Sequence, residues 1–408
     1  MTDYNKLERS DLISLCKERN IKGFGAKNKA ELIVLLQDGT KVSVPLQVQR
    51  LNYIGSKFQL LSWITSNIQD KTGWTSFTDK RIADLFGGTG IVSYHFRTLG
   101  STVISNDAEL FSSIITRAFT TSSYNVTCKT IIEALNKELQ TGKKTGYVTK
   151  NYSPYEESER KFFTVENAQK IDYIRERIEE LPLSEAEYTF ILASLIVSAD
   201  AVSNVPAVYG CYLKNFKAKA NKELKIRPVH TITSEATPDS QTFNQDVLSD
   251  ELISKATVNA VYLDPPYNER QYSKNYFPLN IIAKNPSELL KEPALKGKTG
   301  IPTDCFISPF CKKGIVVEEA FEKLFGELKT EWIFLSYSSE SLISKCRMIE
   351  LMEKYGTVAV VEREYKRFKS FEYNTDKEIK EYLFCLKRQA TSNKQQDKHS
   401  FRQAFRQA

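Results

Sequence analysis

Histidine is scarce in this chain, and the cysteines show no order. There are three histidines (His95, His230, His399) and seven cysteines (Cys16, Cys128, Cys211, Cys305, Cys311, Cys346, Cys385). The cysteines are odd in number and contain no C-x-x-C pair, so neither a zinc site nor a disulfide framework is expected. A reducing, intracellular compartment, the cytoplasm, follows. No apolar run approaches the ~20 residues of a bilayer span. Met1-Thr-Asp-Tyr lacks the charged-then-apolar start of a signal peptide, so no membrane is expected. Nor is there a large excess of one charge: 57 Lys and Arg against 50 Asp and Glu leave +7. That mild basicity is compatible with a nucleic-acid partner without requiring one. What is present is ordinary globular composition, 41% hydrophobic and 26% charged over 408 residues, enough for two or three domains.

Residues 7 to 36 read as a helix-turn-helix unit. Leu12, Leu15, Cys16 and Arg19 mark one face of a first helix with Ser10 as its cap. Asn28 and Glu31 fit a variant capping box ahead of Leu32, Leu35 and Leu36, and Lys22, Lys27 and Lys29 gather at the turn. Residues 38–50 read as a linker. Tyr53-Ile-Gly55-Ser-Lys57 then precedes a helical stretch. This turn offers N–H groups and a cation, suited to a carboxylate or phosphate.

Arg81-Ile-Ala-Asp84-Leu-Phe86-Gly87-Gly88-Thr89-Gly90 reads as a strand running into a glycine-rich turn. Ile91 to Leu99 follows as a helix, and Thr102 to Ser105 as a strand ending at Asn106-Asp107. The glycines let a ligand lie against backbone, and Asp107, about 20 residues on, is placed to hold ribose hydroxyls. The full G-x-G-x-x-G spacing is absent, and a nicotinamide enzyme stays open on this pattern alone.

Residues 125–235 interrupt the α/β alternation. Ala168 to Leu181 reads as a charged helix and Tyr188 to Val202 as a buried one. Lys214, Lys217, Lys219, Lys222, Lys225 and Arg227 then cluster against the single acid Glu223, interleaved with Tyr212 and Phe216. Such a mixture neutralises phosphates; the plainer reading is a solvated charged face.

The apolar run Ala260 to Leu263 ends on Asp264-Pro265-Pro266-Tyr267. Each proline fixes its φ, removes a donor and extends the residue before it. The result is a rigid edge of acceptors, the Asp264 carboxylate and the Pro265 carbonyl, beside the flat face of Tyr267. A Pro-rich turn alone would also look like this. The acceptors suit a planar group bearing an exocyclic amine, such as an adenine taken out of its duplex. Gripping both N6 hydrogens draws that nitrogen towards tetrahedral geometry and frees its lone pair for a cationic methyl donor, S-adenosyl-L-methionine.

Glu269 to Tyr276, with Arg270 and Tyr272, reads as a loop that closes over the flipped base or enters the gap it leaves, and Lys296-Gly-Lys-Thr-Gly300 as a mobile basic loop. Glu318 to Leu328 and Ser341 to Tyr355 read as helices. Trp332 to Leu335, Val358 to Val361 and Tyr382 to Leu386 read as strands, and residues 389–408 as a disordered tail.

Two resemblances attach to these residues. Leu12-x-x-Leu15-Cys-Lys17, Gly23-x-Gly25-x-Lys27 and Glu31-Leu32-Ile33-x-x-Leu36 resemble the SAP motif, a short helical DNA-binding module, over residues 1–37. Asn52-Tyr-x-Gly55-Ser-Lys57, Asp84-x-Phe86-x-Gly88-x-Gly90, Asp107 and Asp264-Pro-Pro-Tyr267 appear in the order seen in the D12 class of adenine-N6 DNA methyltransferases, the Dam-like group. This second resemblance continues through Arg270-Gln-Tyr272, Asn275-Tyr276, Ser308-Pro-Phe310-Cys311, Phe334-Leu-Ser336-Tyr337 and Tyr365-Lys-Arg367. It departs at Pro278, where relatives often carry histidine.

The resemblance implies an α/β, Rossmann-like S-adenosylmethionine-dependent fold. The catalytic domain would be 51–124 with 236–388, and 125–235 an inserted target-recognition domain. It implies that Tyr53, Gly55 and Lys57 hold the methionine end of the cofactor, and Asp84, Phe86, Gly88 and Gly90 its centre. Asp107 would hold the ribose and Asp246 the adenine amine. Asp264, Pro265, Pro266 and Tyr267 would be catalytic. Lys27, Lys214, Lys217, Lys219, Lys222, Arg227, Arg270 and Tyr272 would contact double-stranded DNA. A cognate restriction endonuclease acting independently is a further expected partner. RNA adenine methylation and a non-catalytic DNA-binding shell are the alternatives. Cytosine-N4 enzymes share the logic, usually with Ser in place of Asp264.

Overall fold

A computed structural model of the chain describes residues 7–18, 28, 29, 32, 48–291, 294–365 and 379–388. The chain divides into two compact units, Met1–Gln47 and Val48–Ala408. In the first, the helix Arg9–Glu18 buries Leu12 and Cys16 together with Leu32. Ser10 lies inside this helix rather than capping it: its carbonyl accepts from Ser14 Oγ at 3.0 Å, while Asp11 accepts from the Glu8 N–H at 3.2 Å. An acid at the third helical position can reach back to the N–H of the residue that precedes the helix, as the second half of a capping box does. The Leu32 N–H donates to the Asn28 carbonyl at 2.9 Å, a first helical bond where the capping pattern places one. Lys27, Lys366, Arg367 and the tail 389–408 lie outside the described residues.

The second unit is built on one sheet. Its strands are β1 Arg81–Asp84, β2 Thr102–Asn106, β3 Gln241–Phe243, β4 Ala260–Leu263, β5 Trp332–Ser338, β6 Gly356–Tyr365 and β7 Ile379–Arg388. The spatial order is β3-β2-β1-β4-β5-β7-β6. The first five pair in parallel, and β7 runs antiparallel to both β5 and β6. Strands covered on both faces read as continuous apolar runs, and every residue of β4 and of β5 is buried. Leu263, Ile333 and Leu335 meet Phe321 and Leu324 from the helix Ile315–Glu327, each fully buried apolar side chain contributing about 1.5–3 kcal/mol.

Register decides where chemistry can occur. Asp84 is level with Ser105 of β2 and Tyr262 of β4. The carboxyl ends of these three strands therefore share one edge, and the strand order reverses between β1 and β4. Open α/β sheets bind ligands at such a switch point.

Residues 125–235 belong to the same compact unit as the sheet. Their central helix, Glu185–Ala201, is buried from Thr189 to Asp200 and starts with a complete Ser184–Glu187 capping box. Two expected loops prove ordered. Tyr272–Ala283 is a helix kinked at Tyr276 (φ −132°, ψ 17°), because Pro278 cannot donate to the preceding turn and its ring crowds it. The expected mobile loop at 296–300 is the turn of a short antiparallel hairpin, Leu295–Lys296 with Ile301–Pro302. Arg160 Nε donates to the Lys298 carbonyl at 3.1 Å and Tyr152 to the Gly300 carbonyl at 3.2 Å, which fixes it.

Candidate active site

The glycine-rich turn leaves β1 with Gly88 at φ +52° and Gly90 at φ +72°, and the two glycines do different work. A Cβ on Gly88 would sit 3.2 Å from the Tyr53 ring, so its absence keeps the turn open against that ring. A Cβ on Gly90 would meet Phe119 at 2.7 Å and the Thr116 backbone at 2.9 Å; this glycine serves helix packing. Asp107, at the end of β2, ties the turn down. Its Oδ2 accepts from the Gly88 N–H at 2.7 Å and its Oδ1 from the Glu109 N–H at 2.8 Å.

A concave cavity opens here, at the carboxyl ends of β1, β2 and β4, where open sheets of this kind take small molecules. Of the residues expected to act on cofactor or base, Tyr53, Gly55, Lys57, Phe86, Gly88, Asp107, Asp246, Asp264, Pro265, Pro266 and Tyr267 line it. Tyr272, expected on DNA, lines it as well. Asp84 and Gly90 are not part of its wall. Asp84 is buried, with Oδ2 accepting from Ser93 Oγ at 2.7 Å and Oδ1 unpartnered. Burial pushes its carboxyl up to about 7. Asp246 sits on the rim, its Oδ1 accepting from the Leu248 N–H at 3.0 Å.

At the centre is a buried ion cluster. Lys57 Nζ lies 2.9 Å from Asp264 Oδ1 and 3.0 Å from Glu381 Oε1. The Glu381 contact is a charge pairing without hydrogen-bond alignment. Burial opposes the Lys57 charge, but Asp264 and Glu381 outweigh it and hold the ammonium well above its ordinary pKa. Burial pushes Asp264 up to about 6; Lys57 pulls it down and Glu381 pushes it further up. Near neutral pH this carboxylate is ionised but more basic than a free aspartate.

Aromatic side chains hold the loop that carries Lys57. Tyr53 stacks on Tyr276 with centroids 4.8 Å apart and lies 5.3 Å from Tyr272. The Tyr276 hydroxyl accepts from the Ile54 N–H at 2.9 Å, and the Tyr272 hydroxyl donates to the Ile54 carbonyl at 3.2 Å. Gly55 follows at φ +85°, beside Tyr267 and Tyr272. Asp200, at the end of the buried helix Glu185–Ala201, accepts from the Asn52 N–H at 2.9 Å.

Two acids of the site, Glu109 and Glu381, do not stand out as such in the sequence. Glu109 is a buried cavity acid accepting from Asn280 Nδ2 at 2.7 Å, and burial pushes it up to about 8. Glu381 arrives from β7, and its only signal is an acid one residue before the apolar run of a last strand. In the basic segment, Lys214, Lys217, Lys222, Lys225 and Arg227 are exposed. Lys219 leans into the fold with Nζ 3.3 Å from Ser203 Oγ, and Glu223 pairs with the buried Lys170. Arg270 is exposed ahead of the kinked helix. All seven cysteines are free thiols. Among the described residues no group of three or more His, Cys, Asp or Glu is placed to hold a metal ion.

A doubly wound sheet with a glycine turn, a strand-end acid and a switch-point cavity defines an α/β enzyme built for a nucleotide-like cofactor. The chain belongs to the D12 class N6 adenine-specific DNA methyltransferase family, whose family model matches residues 53–351. It is 40% identical over 343 residues to the type II methyltransferase M.CviAII of Paramecium bursaria Chlorella virus 1, covering 83% of this chain and 99% of that relative. It is 38% identical over 327 residues to the type II methyltransferase M.NlaIII of Neisseria lactamica, covering 78% and 93%. With the type II methyltransferase M.FokI of Planomicrobium okeanokoites the identity is 33% over 355 residues, 83% of this chain but 53% of that relative. The protein is accordingly a site-specific, adenine-specific DNA methyltransferase.

Proposed function

We propose that the protein transfers the methyl group of S-adenosyl-L-methionine to N6 of an adenine turned out of double-stranded DNA. It does so at one short recognition site, as the modification arm of a restriction–modification or DNA-protection system alongside an independently acting endonuclease. The observation that carries this reading is the Asp264 carboxylate at the end of β4, in one cavity with the glycine turn of β1.

The cavity fits the cofactor on its own terms. The glycine turn presents backbone where a side chain would intrude, Asp107 and Asp246 supply acceptors, and Tyr53 and Phe86 supply apolar faces. Tyr53, Gly55, Phe86, Gly88, Asp107 and Asp246 would hold it. When bound, it supplies an electrophilic methyl group. Lys57, with its ammonium between two carboxylates, serves Asp264 more directly than it serves the cofactor.

Asp264 and the Pro265 carbonyl accept the two N6 hydrogens. The ion pair is made through Oδ1, which leaves Oδ2 for the amine. Tyr267 gives the base a stacking face. Such stacking is worth about 1–3 kcal/mol per base, comparable to the few kcal/mol that flipping costs. Asp264 polarises the amine rather than deprotonating it beforehand, because N6 loses its proton only once the new bond is forming. The exposed Lys214, Lys217, Lys222, Arg227 and Arg270, with Lys27 of the SAP-like unit, would contact phosphates. Those contacts position the duplex without reading its sequence.

The test is incubation with S-adenosylmethionine and mixed-sequence plasmid DNA, followed by single-molecule sequencing of modified bases. N6-methyladenine confined to one short motif is the expected result. Unmodified DNA from a protein that still binds cofactor would overturn the reading.

A further inference from the structure

The Lys57–Asp264 pair already described belongs to the loop and strand of the site, but the third member of the cluster comes from elsewhere. Glu381 lies on β7, level with Ser338 of β5 and Arg363 of β6. It is 6% exposed, in a strand whose next buried residues are apolar. A buried carboxylate in such a place needs a compensating charge, and the only cation paired with it among the described residues is Lys57, at 3.0 Å.

We propose that Glu381 is a positioning residue for methyl transfer, which holds Lys57 between two carboxylates so that Asp264 keeps an oxygen for the amine of the flipped adenine. The inference rests on the function proposed above. One ammonium facing one carboxylate would settle into a fully engaged pair and lower the basicity of the oxygens. One ammonium shared by two carboxylates cannot neutralise both. The cluster carries a net charge of −1, and Asp264 remains the better acceptor for it. Glu381 touches neither base nor methyl donor in this scheme; it acts through Lys57.

The groups facing Asp264 come from every neighbouring element. They are Lys57 from the start of the 3-10 turn Lys57–Leu60, Asp84 from β1, Tyr262 from β4, Tyr267 from the Pro-Pro turn, Tyr272 from the kinked helix, and Glu381 from β7. Lys57 is the only cation among these groups. Removing the Glu381 charge therefore lowers the Asp264 pKa, so Asp264 stays ionised to lower pH while its oxygens become poorer acceptors.

The experiment compares full-length wild type, Glu381→Gln and Glu381→Asp. It measures single-turnover methylation of plasmid DNA from pH 5 to 8.5 and the Kd for S-adenosylmethionine. A wild type that methylates adenine, with a rate that falls on acidification, upholds the underlying reading; a wild type without activity overturns that reading instead. In Glu381→Gln we expect the plateau rate to fall roughly 10-fold and the acid limb to move to lower pH. The cofactor Kd should stay within about 3-fold, well inside the tenfold that 1.4 kcal/mol represents. Glu381→Asp keeps the charge and should restore the wild-type limb, with the rate partly recovered. A merely structural role lowers stability and rate without moving the limb, and an unmoved limb in Glu381→Gln overturns the proposal. If Glu381→Gln does not fold, Glu381→Met, which also removes the charge and suits a buried strand position, takes its place: an acid limb moved to lower pH supports the proposal, and an unmoved limb overturns it.

Discussion

The buried cluster around Asp264 and the basic segment from Lys214 to Arg227 are both charged, and they are built on opposite principles. Lys57, Asp264 and Glu381 are held at 2.9 and 3.0 Å between strand ends, under a roof of tyrosines. Lys214, Lys217 and Lys222 stand in water. Charges worth little in water gain strength where solvent is excluded, and they must then be positioned in advance. A phosphate contact needs the reverse, a flexible cation that displaces counterions on arrival. One region supplies reaction, the other supplies grip, and substitutions should separate them.

The largest effect is expected at the acceptor. Asp264→Ala should lower the single-turnover rate by at least about 10³-fold. Cofactor affinity, read by titration calorimetry, should change little, because the residues placed on the cofactor, Tyr53, Gly55, Phe86, Gly88, Asp107 and Asp246, do not include Asp264. A variant that kept its rate would remove Asp264 from the chemistry. Gly90→Ala tests the frame rather than the reacting groups. An L-residue at φ +72° facing Phe119 at 2.7 Å should cost about 2–4 kcal/mol of stability, seen as a lower urea midpoint. An unchanged midpoint would mean the turn relaxes freely. The smallest effect belongs to the surface. Lys214→Ala, Lys217→Ala and Lys222→Ala together should leave the single-turnover rate at saturating DNA unaltered. The slope of log binding constant against log salt should shrink by about 0.9 for each phosphate that is no longer neutralised. An unaltered slope would assign these lysines to solvent.

The same contrast explains what the sequence reveals. Local patterns carry the strand ends: Ala260 to Leu263 followed by Asp264-Pro-Pro-Tyr267, and the glycines after Asp84, are legible because each piece is contiguous. β5, β6 and β7 extend beyond their apolar centres because pairing, rather than propensity, sets their length. Glu381 is illegible as a site residue because its role depends on β7 lying next to β5, a non-local pairing. Glu269 to Tyr276 reads as a loop from its polar and aromatic residues, yet from Tyr272 on it begins the helix Tyr272–Ala283. The apolar residues from Phe277 to Ala283 pack it as a helix, and Pro278 only kinks it. Glu109 stands two residues after Asp107, and only its burial beside Asn280 marks it out.

The strand order also fixes a timetable. β6 is made before β7 but pairs with the sheet only through β7, which fills the gap beside β5. While β7 is still inside the ribosome, the nascent chain can have its glycine turn, its cavity wall and Asp264 in place. Lys57 then has one carboxylate and β5 an open edge. β7, the last strand among the described residues, is thus the step that finishes both the sheet and the charge balance of the site, so the site is complete only once β7 has been made.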